Sequence, residues 1–437
     1  MRKFFVIGGG GREHAIVWHL ARCYPGAAIH CAPGNPGISR LATCLPVAAT
    51  DLNGLVSAAA TLAPDLVIVG PEAPLVAGLA DRLQAVGLPT LGPAAAAARI
   101  EGSKAFAKHL MARAGIPTAP FAVFDDPPQA IAHVRHVGPR VVVKADGLAA
   151  GKGVVVCDGP DEAEAAVRAM MVEVVFGDAG RRVVVEERLD GDEVSVFALV
   201  DGEAVAWLGA AQDHKRLHDG DRGPNTGGMG AIAPYPLAPA LRTRILREIL
   251  QPAASALVAE GCAYRGVLFA GLMLTADGPQ VLEFNCRLGD PEAQVMLPLL
   301  RAGLPDAFDA LRRGEVDAEG QVAGTELLRL DRAACGVVLA SEGYPATTRP
   351  GVPIDGVADA EELALVFHNG TARAEGRLVT AGGRVLTVTG LGPDLAAARQ
   401  RAYAAVGRVA FPGMQYRTDI GSRLLATAGA GGVTPCR

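Results

Sequence analysis

The sequence predicts a multidomain protein of α/β and α+β class that begins with a doubly wound parallel sheet. Apolar runs and helix-forming segments alternate from residue 1 to about 101, the pattern of parallel strands joined by helices. From 140 to 210 the apolar runs follow one another closely, which indicates an α+β unit. The chain has 437 residues, half of them hydrophobic, so it exceeds one ordinary core and several domains are expected.

The N-terminal unit begins with the apolar run KFFVI at 3–7, which ends in four glycines. The segment GGGGREHA (8–15) suggests a dinucleotide fingerprint, but the third glycine of that motif falls on Glu13 or His14. No acidic residue ends the second strand either, so we do not expect a dinucleotide. A phosphate at the start of the following helix remains compatible with the pattern, and close helix–strand packing is the structural alternative.

The next elements predict a helix, a set of paired strands and a long loop. Ser103 and Gly115 suit the two ends of a helix over 103–115, whereas 74–86 is a further helix of the N-terminal unit. The polar, glycine-rich stretch 212–236 reads as a structureless loop, and so long a loop is usually functional. The strands are expected at 140–145, 153–157, 182–188, 193–200 and 203–210, with one helix at 161–172.

The last third of the chain predicts a long helix, two strands and a final α+β unit. The helix covers 239–260, and strands follow at 265–275 and 280–284. The final unit covers 331–424, with strands at 334–340 and 384–390 and a helix at 394–408. The small and polar residues of 425–437 predict a disordered tail.

A glycine-rich loop joins two predicted strands in VVVKADGLAAGKGVVV, residues 141–156. A P-loop requires four residues between its glycines, a Ser or Thr after the lysine, and a following helix. Here three residues separate Gly147 from Gly151, Gly153 follows Lys152, and a strand comes next. The loop is therefore a hairpin flap whose N–H groups can cover phosphates, although alone it could be a plain turn.

Two lysines favour the phosphate interpretation of this flap. Lys144 ends the strand before it, and Lys104 lies on the helix in EGSKAF. Two ammonium groups beside a glycine flap suit the several negative charges of a nucleoside triphosphate.

A second group of polar residues lies in QVLEFNCRLGDPE, residues 280–292. Glu283 and Asn285 are two apart on a strand, so both side chains face one side, and their oxygens suit Mg²⁺. A solvent-facing strand is the alternative, but the apolar neighbours indicate burial, and a buried carboxylate needs a partner or a metal. Arg287 suits a bidentate grip on a carboxylate, or else a surface ion pair with Asp290 or Glu292.

The segment VVVEERLDGDEVS (183–195) predicts a hinge between strands. Backbone groups of such a hinge usually hold an adenine, with a carboxylate on the ribose hydroxyls, so we assign Glu186, Glu187 and Leu189 to the base and Glu193 to the ribose. Without the other motifs this segment would be only a strand and a turn.

Several classes of function are excluded by composition and spacing. The net charge of −5 gives no electrostatic case for nucleic acid or an anionic membrane as a partner. No apolar run reaches the length of a membrane span, and the cysteines form no CxxC pair, so we expect a cytoplasmic protein. No nucleophile motif is present. Four histidines lack the spacing of metal ligands, so we interpret them as core or surface residues: His14, His19, His109 and His214.

The motifs together resemble the phosphoribosylamine–glycine ligase family, the glycinamide ribonucleotide synthetases of the ATP-grasp superfamily. They recur in the family's order from residue 1 to about 422: GGGGREHA, GNPG, GPEAPLVAG, EGSKAFAK, KADGLAAGKGV, QDHKR, GPNTGGMGA and EFNCRLGDPE. The resemblance implies that ATP, glycine and 5-phosphoribosylamine give glycinamide ribonucleotide, ADP and phosphate through glycyl phosphate, in purine biosynthesis. It also implies an N-terminal domain (1–101), an ATP-grasp core (102–330) with a mobile lid (about 121–190), and a small C-terminal domain (331–424).

The resemblance also assigns roles to particular residues. The catalytic residues would be Arg287, Lys144 and Asp213. ATP would be bound by Lys104, Lys144, Asp146, Gly147, Gly151, Lys152, Gly153, Glu186, Glu187, Leu189 and Glu193. Glycine and phosphoribosylamine would be bound by Gly10, Gly11, Arg12, Glu13, Asn35, Asp213, His214, Lys215, Asn225, Thr226, Gly227, Gly228 and Arg287. Glu283 and Asn285 would hold Mg²⁺ or Mn²⁺.

The chain departs from the family's pattern at few positions. Leu288 replaces an aromatic residue, and the strand before Glu283 offers no acid as a second metal ligand. Two alternatives stay open: another ATP-grasp ligase with different substrates, and a nucleotide-binding sensor without turnover. The expected partners are small molecules, and a monomer is the working hypothesis for assembly.

Overall fold

The computed structural model describes residues 1–138, 140–149, 152–322 and 324–429. Its N-terminal unit is a five-stranded parallel sheet. Phe5 and Ile7 pack on one face of this sheet and Phe4 and Val6 on the other, so both faces are buried and the doubly wound prediction is confirmed. The strands, in sheet order, are Thr43–Cys44, Ala28–Pro33, Lys3–Gly8, Leu66–Val69 and Thr90–Leu91.

The helices of this unit follow the predicted alternation with one difference. The segment predicted as a single helix over 74–86 forms two helices, because Gly78 adopts a left-handed conformation with φ of +86° between them. The helices are Gly11–Cys23, Leu52–Leu62, Glu72–Val76, Leu79–Ala85 and Ala95–Gly102, with a 3₁₀ turn at Ile38–Arg40.

A four-stranded antiparallel sheet with two helices occupies the range predicted for the lid and is called the lid below. Its apolar side chains, among them Val143, Val167 and Val185, form a core separate from those of the other units. The lid therefore packs as a unit of its own. In sheet order its strands are Phe121–Phe124, Val183–Glu187, Val141–Ala145 and Val154–Cys157, and its helices are Pro127–His136 and Pro160–Met171, with a 3₁₀ turn at Gly177–Gly180.

An eight-stranded antiparallel sheet runs without interruption from the core into the C-terminal unit. Strand Gly230–Ala233 joins the two parts, because it pairs with Ala204–Asp213 on one side and Ala333–Ala340 on the other. In order the strands are Gly278–Asn285, Arg265–Thr275, Asp192–Asp201, Ala204–Asp213, Gly230–Ala233, Ala333–Ala340, Arg384–Gly392 and Leu365–His368.

The stretch 212–236 is more ordered than the sequence predicts. Arg216–His218 and Arg222–Asn225 pair as an antiparallel ribbon, and Gly230–Ala233 belongs to the large sheet. For Gly230–Ala233, backbone pairing with the C-terminal unit supplies the order that local composition lacks.

The remaining helices surround the large sheet. Ser103 caps the helix Lys104–Ala114 by accepting a hydrogen bond from the Phe106 amide, and Gly115 ends it, as predicted. No helix in the described part of the chain is long and apolar enough to cross a bilayer. The other core helices are Pro239–Ile245, Gln251–Ala259, Glu292–Met296 and Leu304–Arg312, with a π turn at Leu246–Leu250, a 3₁₀ turn at Leu297–Leu299 and a small ribbon of Gln321–Val322 with Thr325–Glu326.

The C-terminal unit adds helices and a ribbon to its strands. Residues 425–429, predicted as part of a disordered tail, lie in the helix Ser422–Gly429, because Leu424 packs against the core of this unit. Residues 430–437 lie outside the described residues. The unit's other helices are Val357–Glu361 and Leu395–Val406, and its ribbon is formed by the strands Thr371–Ala374 and Arg377–Thr380.

Candidate active site

A cleft of about 730 Å³ lies where the lid, the large sheet and the N-terminal unit meet. Most of the residues singled out in the sequence line it, although they come from distant parts of the chain. These residues are Arg12, Lys104, Lys144, Gly153, Glu186, Glu187, Leu189, Glu193, Asp213, His214, Lys215, Asn225, Thr226, Gly227, Glu283, Asn285 and Arg287.

Other predicted site residues do not contribute to the cleft's lining. They are Gly10, Gly11, Glu13, Asn35, Asp146, Gly147, Lys152 and Gly228. Gly151 lies outside the described residues. The contacts of several of these residues show that they hold the loops around the cleft.

In the N-terminal glycine loop, Arg12 alone lines the cleft. Glu13 turns back to the loop, where its carboxylate accepts a 2.7 Å hydrogen bond from the Gly10 amide and a 2.6 Å bond from Nε of Arg12. Asn35 donates to the carbonyls of Gly9 (2.9 Å) and His368 (2.8 Å), so it fastens the glycine loop to the C-terminal unit. The contacts of Glu13 and Asn35 are thus made within the protein.

Asp146 attaches the flap to the helix below it. Its carboxylate accepts hydrogen bonds from the Ser103 hydroxyl (2.9 Å) and from the Ala105 amide (2.7 Å). At the other side of the flap, Nζ of Lys152 donates to the carbonyl of Pro345 at 3.0 Å, a contact with the C-terminal unit. The strand Val154–Cys157 follows the flap, which confirms that this loop is not a P-loop.

Glu283 is surrounded by positive charge. Burial alone would raise the pKa of Glu283, but the ammonium groups of Lys215, Lys104 and Lys144 hold it below its ordinary value. Burial lowers the pKa of Lys104, against the opposing charge of Glu283. A pocket this rich in cations favours a polyanionic ligand.

The side chain of Glu186 is held by two lysines. Its carboxylate is 3% exposed and forms ion pairs with Lys144 and Lys108, so its side chain is not free for an adenine. Lys144 also donates to the carbonyl of Leu282 at 3.0 Å. Burial lowers the pKa of Lys108 to about 8, and the carboxylate of Glu186 limits that shift.

Lys108 was missed in the sequence, although a signal for it exists. It lies four residues after Lys104 and therefore on the same face of the helix Lys104–Ala114. Its Nζ also donates to the Thr118 hydroxyl at 2.7 Å.

Glu283 and Asn285 were predicted to hold a metal, and they lie together in the cleft. Both line the cleft from the strand Gly278–Asn285. Within the described part of the chain the Glu283 carboxylate makes no direct hydrogen bond, and Asn285 Oδ1 accepts only one, from Arg287 at 3.1 Å. A carboxylate without a hydrogen-bond partner among the described residues and an amide oxygen with one partner are hard-oxygen ligands that would suit Mg²⁺ or Mn²⁺.

Arg287 is held by acids that the sequence did not single out. Its Nη2 donates to Glu101 at 2.7 Å and its Nε donates to Glu72 at 3.2 Å, so the alternative ion pairs with Asp290 and Glu292 do not form. Burial would raise the pKa of Glu72, but Arg287 and Arg12 lower it to about 2. Burial raises the pKa of Glu101 despite the charge of Arg287.

Asp213 faces the cleft close to a second buried acid. Burial, and next the nearby carboxylate of Glu292, raises the pKa of Asp213 well above its ordinary value. Glu292 accepts a 2.8 Å hydrogen bond from the Ser195 hydroxyl. On the same side of the cleft, Glu193 forms an ion pair with Lys215, so this carboxylate has a partner within the protein.

The pKa values of three histidines lie below their ordinary value. Burial lowers the pKa of His14 to about 3 and those of His19 and His214 to about 4. His214 Nε2 accepts a 3.4 Å hydrogen bond from the Gly421 amide, and His14 Nδ1 accepts a 2.8 Å bond from the His368 amide. Among the described residues no group of three or more His, Cys, Asp or Glu is placed to hold a metal.

Three family models, all of one synthetase, match most of the chain. The model described as the ATP-grasp (A) domain of phosphoribosylglycinamide synthetase matches residues 102–293. The models of the N and C domains of the same synthetase match 2–101 and 334–423.

Individual proteins give the same result. The chain is 47% identical to the phosphoribosylamine–glycine ligase of Rhizobium meliloti over 97% of this chain and 99% of the relative. The crystal structure of the Thermotoga maritima phosphoribosylamine–glycine ligase is similar with a TM-score of 0.83 and 37% identity, covering 96% of this chain and 100% of that chain. A biotin carboxylase domain from Hydrogenobacter thermophilus, solved with MgADP, shares the fold alone, at TM-score 0.70 and 17% identity over 95% of this chain and 91% of that chain.

Proposed function

Because the chain belongs to the phosphoribosylglycinamide synthetase family, we propose that it joins glycine to 5-phosphoribosylamine at the expense of ATP. In the first step a glycine carboxylate oxygen attacks the γ-phosphorus, and ADP leaves. In the second step the amine nitrogen attacks the acyl carbon of glycyl phosphate, phosphate leaves, and the nitrogen loses a proton. The product is glycinamide ribonucleotide.

One observation carries this proposal: a single cleft holds the cationic groups and the Glu283–Asn285 pair side by side. Transfer of a phosphoryl group needs positioned partners and neutralised charge more than a covalent nucleophile. In our proposal Lys104 and Lys144 hold the phosphates from below and the flap, residues 146–153, covers them. Mg²⁺ or Mn²⁺ on Glu283 and Asn285 would neutralise charge on the phosphate oxygens.

Arg287 orients the glycine carboxylate in this proposal. Its guanidinium is anchored on Glu72 and Glu101, so its direction is fixed before glycine arrives. A preorganised cation does not have to reorient as charge develops during phosphoryl transfer.

A further part of the cleft is assigned to phosphoribosylamine. Arg12, His214 and Lys215 line it together with the substrate loop, defined as residues 224–230. Asp213 would accept the proton that the amine releases, since burial and Glu292 have raised its pKa. Gly10, Gly11, Glu13, Asn35 and Gly228 would shape the loops of this part.

The adenosine end of ATP is assigned to the hinge between lid and core. Glu187, Leu189 and Glu193 line the cleft there, and the base would be held through this segment, with Glu186 restricted to its lysine partners. Asp146, Gly147, Lys152 and Gly153 would set the position of the flap.

We propose the domain limits 1–101, 102–330 and 331–424, with the lid at about 121–190. The family matches at 2–101, 102–293 and 334–423 support these limits. A cytoplasmic monomer that acts on small molecules alone is part of the same proposal.

ADP release from the purified protein tests the reaction. Phosphoribosylamine would be generated in place from ribose 5-phosphate and ammonia, and glycine, amine or Mg²⁺ would be withheld in turn. We expect release that requires all of them. Release with another amino acid but not glycine would favour a different ATP-grasp ligase, and ATP binding without turnover would favour a sensor.

A further inference from the structure

The C-terminal unit contacts the substrate loop through Arg384, the first residue of strand Arg384–Gly392. Arg384 lines the cleft, and its Nη1 donates to the carbonyls of Gly227 (2.5 Å) and Asp290 (2.6 Å). The Tyr344 hydroxyl accepts a 2.9 Å hydrogen bond from the Gly227 amide. Two side chains of the C-terminal unit therefore bind both polar backbone groups of Gly227.

The contact leaves little room for any other residue at position 227. A Cβ on Gly227 would lie 3.1 Å from Cζ of Arg384 and 3.3 Å from the Tyr344 hydroxyl oxygen. The ring of Tyr344 is itself packed on Gly383, where a Cβ would lie 2.3 Å from a ring carbon. The guanidinium, the phenol and the substrate loop thus form one close-packed contact.

Arg384 also connects the substrate loop to the N-terminal glycine loop. Its Nη2 lies 3.2 Å from the Asp290 carboxylate, and Gln294 donates to the same carboxylate at 2.7 Å. Gly10 lies next to this carboxylate, since a Cβ there would be 3.8 Å from Asp290 Oδ2. The Arg384–Asp290 pair therefore stands between the two loops assigned to phosphoribosylamine.

The ribbon that leads to the substrate loop is held by the same unit at another point. Arg417 is 1% exposed, and its Nη1 donates to the carbonyl of Arg216 (3.1 Å) and to Asp221 (2.8 Å). The Thr418 amide donates to Asp219 at 2.8 Å. The C-terminal unit therefore holds this part of the site at two points, the ribbon and Gly227.

We propose that Arg384 and Tyr344 are positioning residues for phosphoribosylamine, which they place by fixing the substrate loop at Gly227. This inference rests on the proposed function. The Arg384 side chain is 20% exposed, and hydrogen bonds from a charged donor shielded from water are stronger than neutral ones. Loss of Arg384 would free the loop while leaving the Lys104–Lys144–Glu283 side of the cleft unchanged.

Steady-state kinetics of Arg384→Gln, Arg384→Lys and Tyr344→Phe test the proposal, with the exposed Arg377→Gln of the same unit as control. We expect KM for phosphoribosylamine to rise about tenfold or more in Arg384→Gln, because a charge-assisted hydrogen bond is lost. KM for ATP should stay within about twofold of the unmodified value. Arg384→Lys should recover part of the loss, because it keeps the charge. Tyr344→Phe should shift the same constant by a smaller factor.

The outcomes separate this inference from the proposed function. Absence of turnover in the unmodified protein would contradict the function itself. If the unmodified protein turns over, two results would contradict only the positioning role. KM for phosphoribosylamine would be unchanged in all variants, or it would rise equally with KM for ATP. If Arg384→Gln does not fold, Tyr344→Phe decides, because it removes a single oxygen atom.

Discussion

Nη2 of Arg287 donates a 2.7 Å hydrogen bond to Oε1 of Glu101, which joins the end of a core strand to the last helix of the N-terminal unit. The other oxygen of Glu101 accepts a 2.7 Å hydrogen bond from the Cys286 amide. One buried carboxylate thus fixes both the backbone and the side chain at this corner of the cleft. The orientation of Arg287 therefore depends on the docking of two units.

Replacing Arg287 tests its assignment to glycine. Arg287→Lys keeps a charge but loses the planar fork, so we expect kcat/KM for glycine to fall about 100-fold, with a much smaller change in ATP affinity. Arg247→Lys, a surface exchange on the π turn, is the matched control. Equal losses for glycine and ATP would show that Arg287 acts on the whole cleft instead.

The pKa of Glu72 predicts a pH dependence of stability. Arg287 and Arg12 lower this pKa from 4.5 to about 2, so the unfolded chain binds a proton in this range while the folded chain does not. The stabilisation, up to about 3 kcal/mol, is therefore fully present above pH 4.5 and is lost as the pH falls towards 2.

Urea unfolding of the wild type and of Glu72→Gln measures this contribution. The difference between their free energies of unfolding should be largest near neutral pH and should shrink as the pH falls through the acid range. A difference that does not change with pH would mean that Glu72 acts through packing and not through its charge.

Local sequence patterns were sufficient for most of the fold. Strand Lys3–Gly8 was predicted because its apolar run is too short for a signal peptide and suits a buried strand. Ser103 and Gly115 set the ends of their helix through a local hydrogen bond and a backbone preference. The ribbon Arg216–His218 with Arg222–Asn225 was missed, because Arg417 of the C-terminal unit holds this polar segment at the Arg216 carbonyl, a contact that local composition does not reveal.

Only the site residues that stand in short sequence motifs could be predicted. Lys144, Glu283 and Asn285 stand in short motifs, and the structure brings them into one cleft. Arg287 meets Glu101 across 186 residues of sequence, so this pair could not be found from spacing. The ion pairs of Glu186 with Lys108 and Lys144 could not be found from spacing either, because these residues come together only when the chain is folded.

Replacing the proposed metal ligands should remove the metal dependence of ATP binding. Glu283→Gln takes away a charged oxygen ligand, so we expect ATP to bind the variant with similar affinity in the presence and absence of Mg²⁺ or Mn²⁺. In the unmodified protein the metal should tighten binding. Asp277→Asn, in the turn before the same strand, is the control, and calorimetry with and without metal is the measurement. Retained metal dependence in Glu283→Gln would move the ligand set elsewhere.

Lys144→Ala tests the phosphate side of the cleft. Removing this ammonium group should lower kcat/KM for ATP about 100-fold, since it neutralises charge on the phosphates in a site shielded from water. Lys3→Ala, an exposed lysine outside the cleft, should leave kcat/KM unchanged. Near-normal turnover of Lys144→Ala would show that the phosphate role is wrong. A thermal unfolding curve would reveal any loss of stability from the broken ion pair with Glu186.

Gly147→Ala tests whether flap closure protects the acyl phosphate. A Cβ at this position would lie 2.8 Å from Cβ and 2.9 Å from Cα of Ala179, so the flap must shift away from its seat. Water would then reach glycyl phosphate, and more ADP should form per molecule of glycinamide ribonucleotide. The ratio of ADP to product measures this uncoupling directly.

Gly159→Ala is the matched control, because a Cβ there meets no atom within 4 Å and the residue lies in the same lid. Its ratio of ADP to product should stay near one ADP per product, as the balanced reaction requires. If Gly147→Ala also keeps that ratio while its turnover falls, the flap positions ATP without excluding water. If both variants lose coupling, the lid as a whole is responsible for the protection, and the close seat of Gly147 on Ala179 is not its cause.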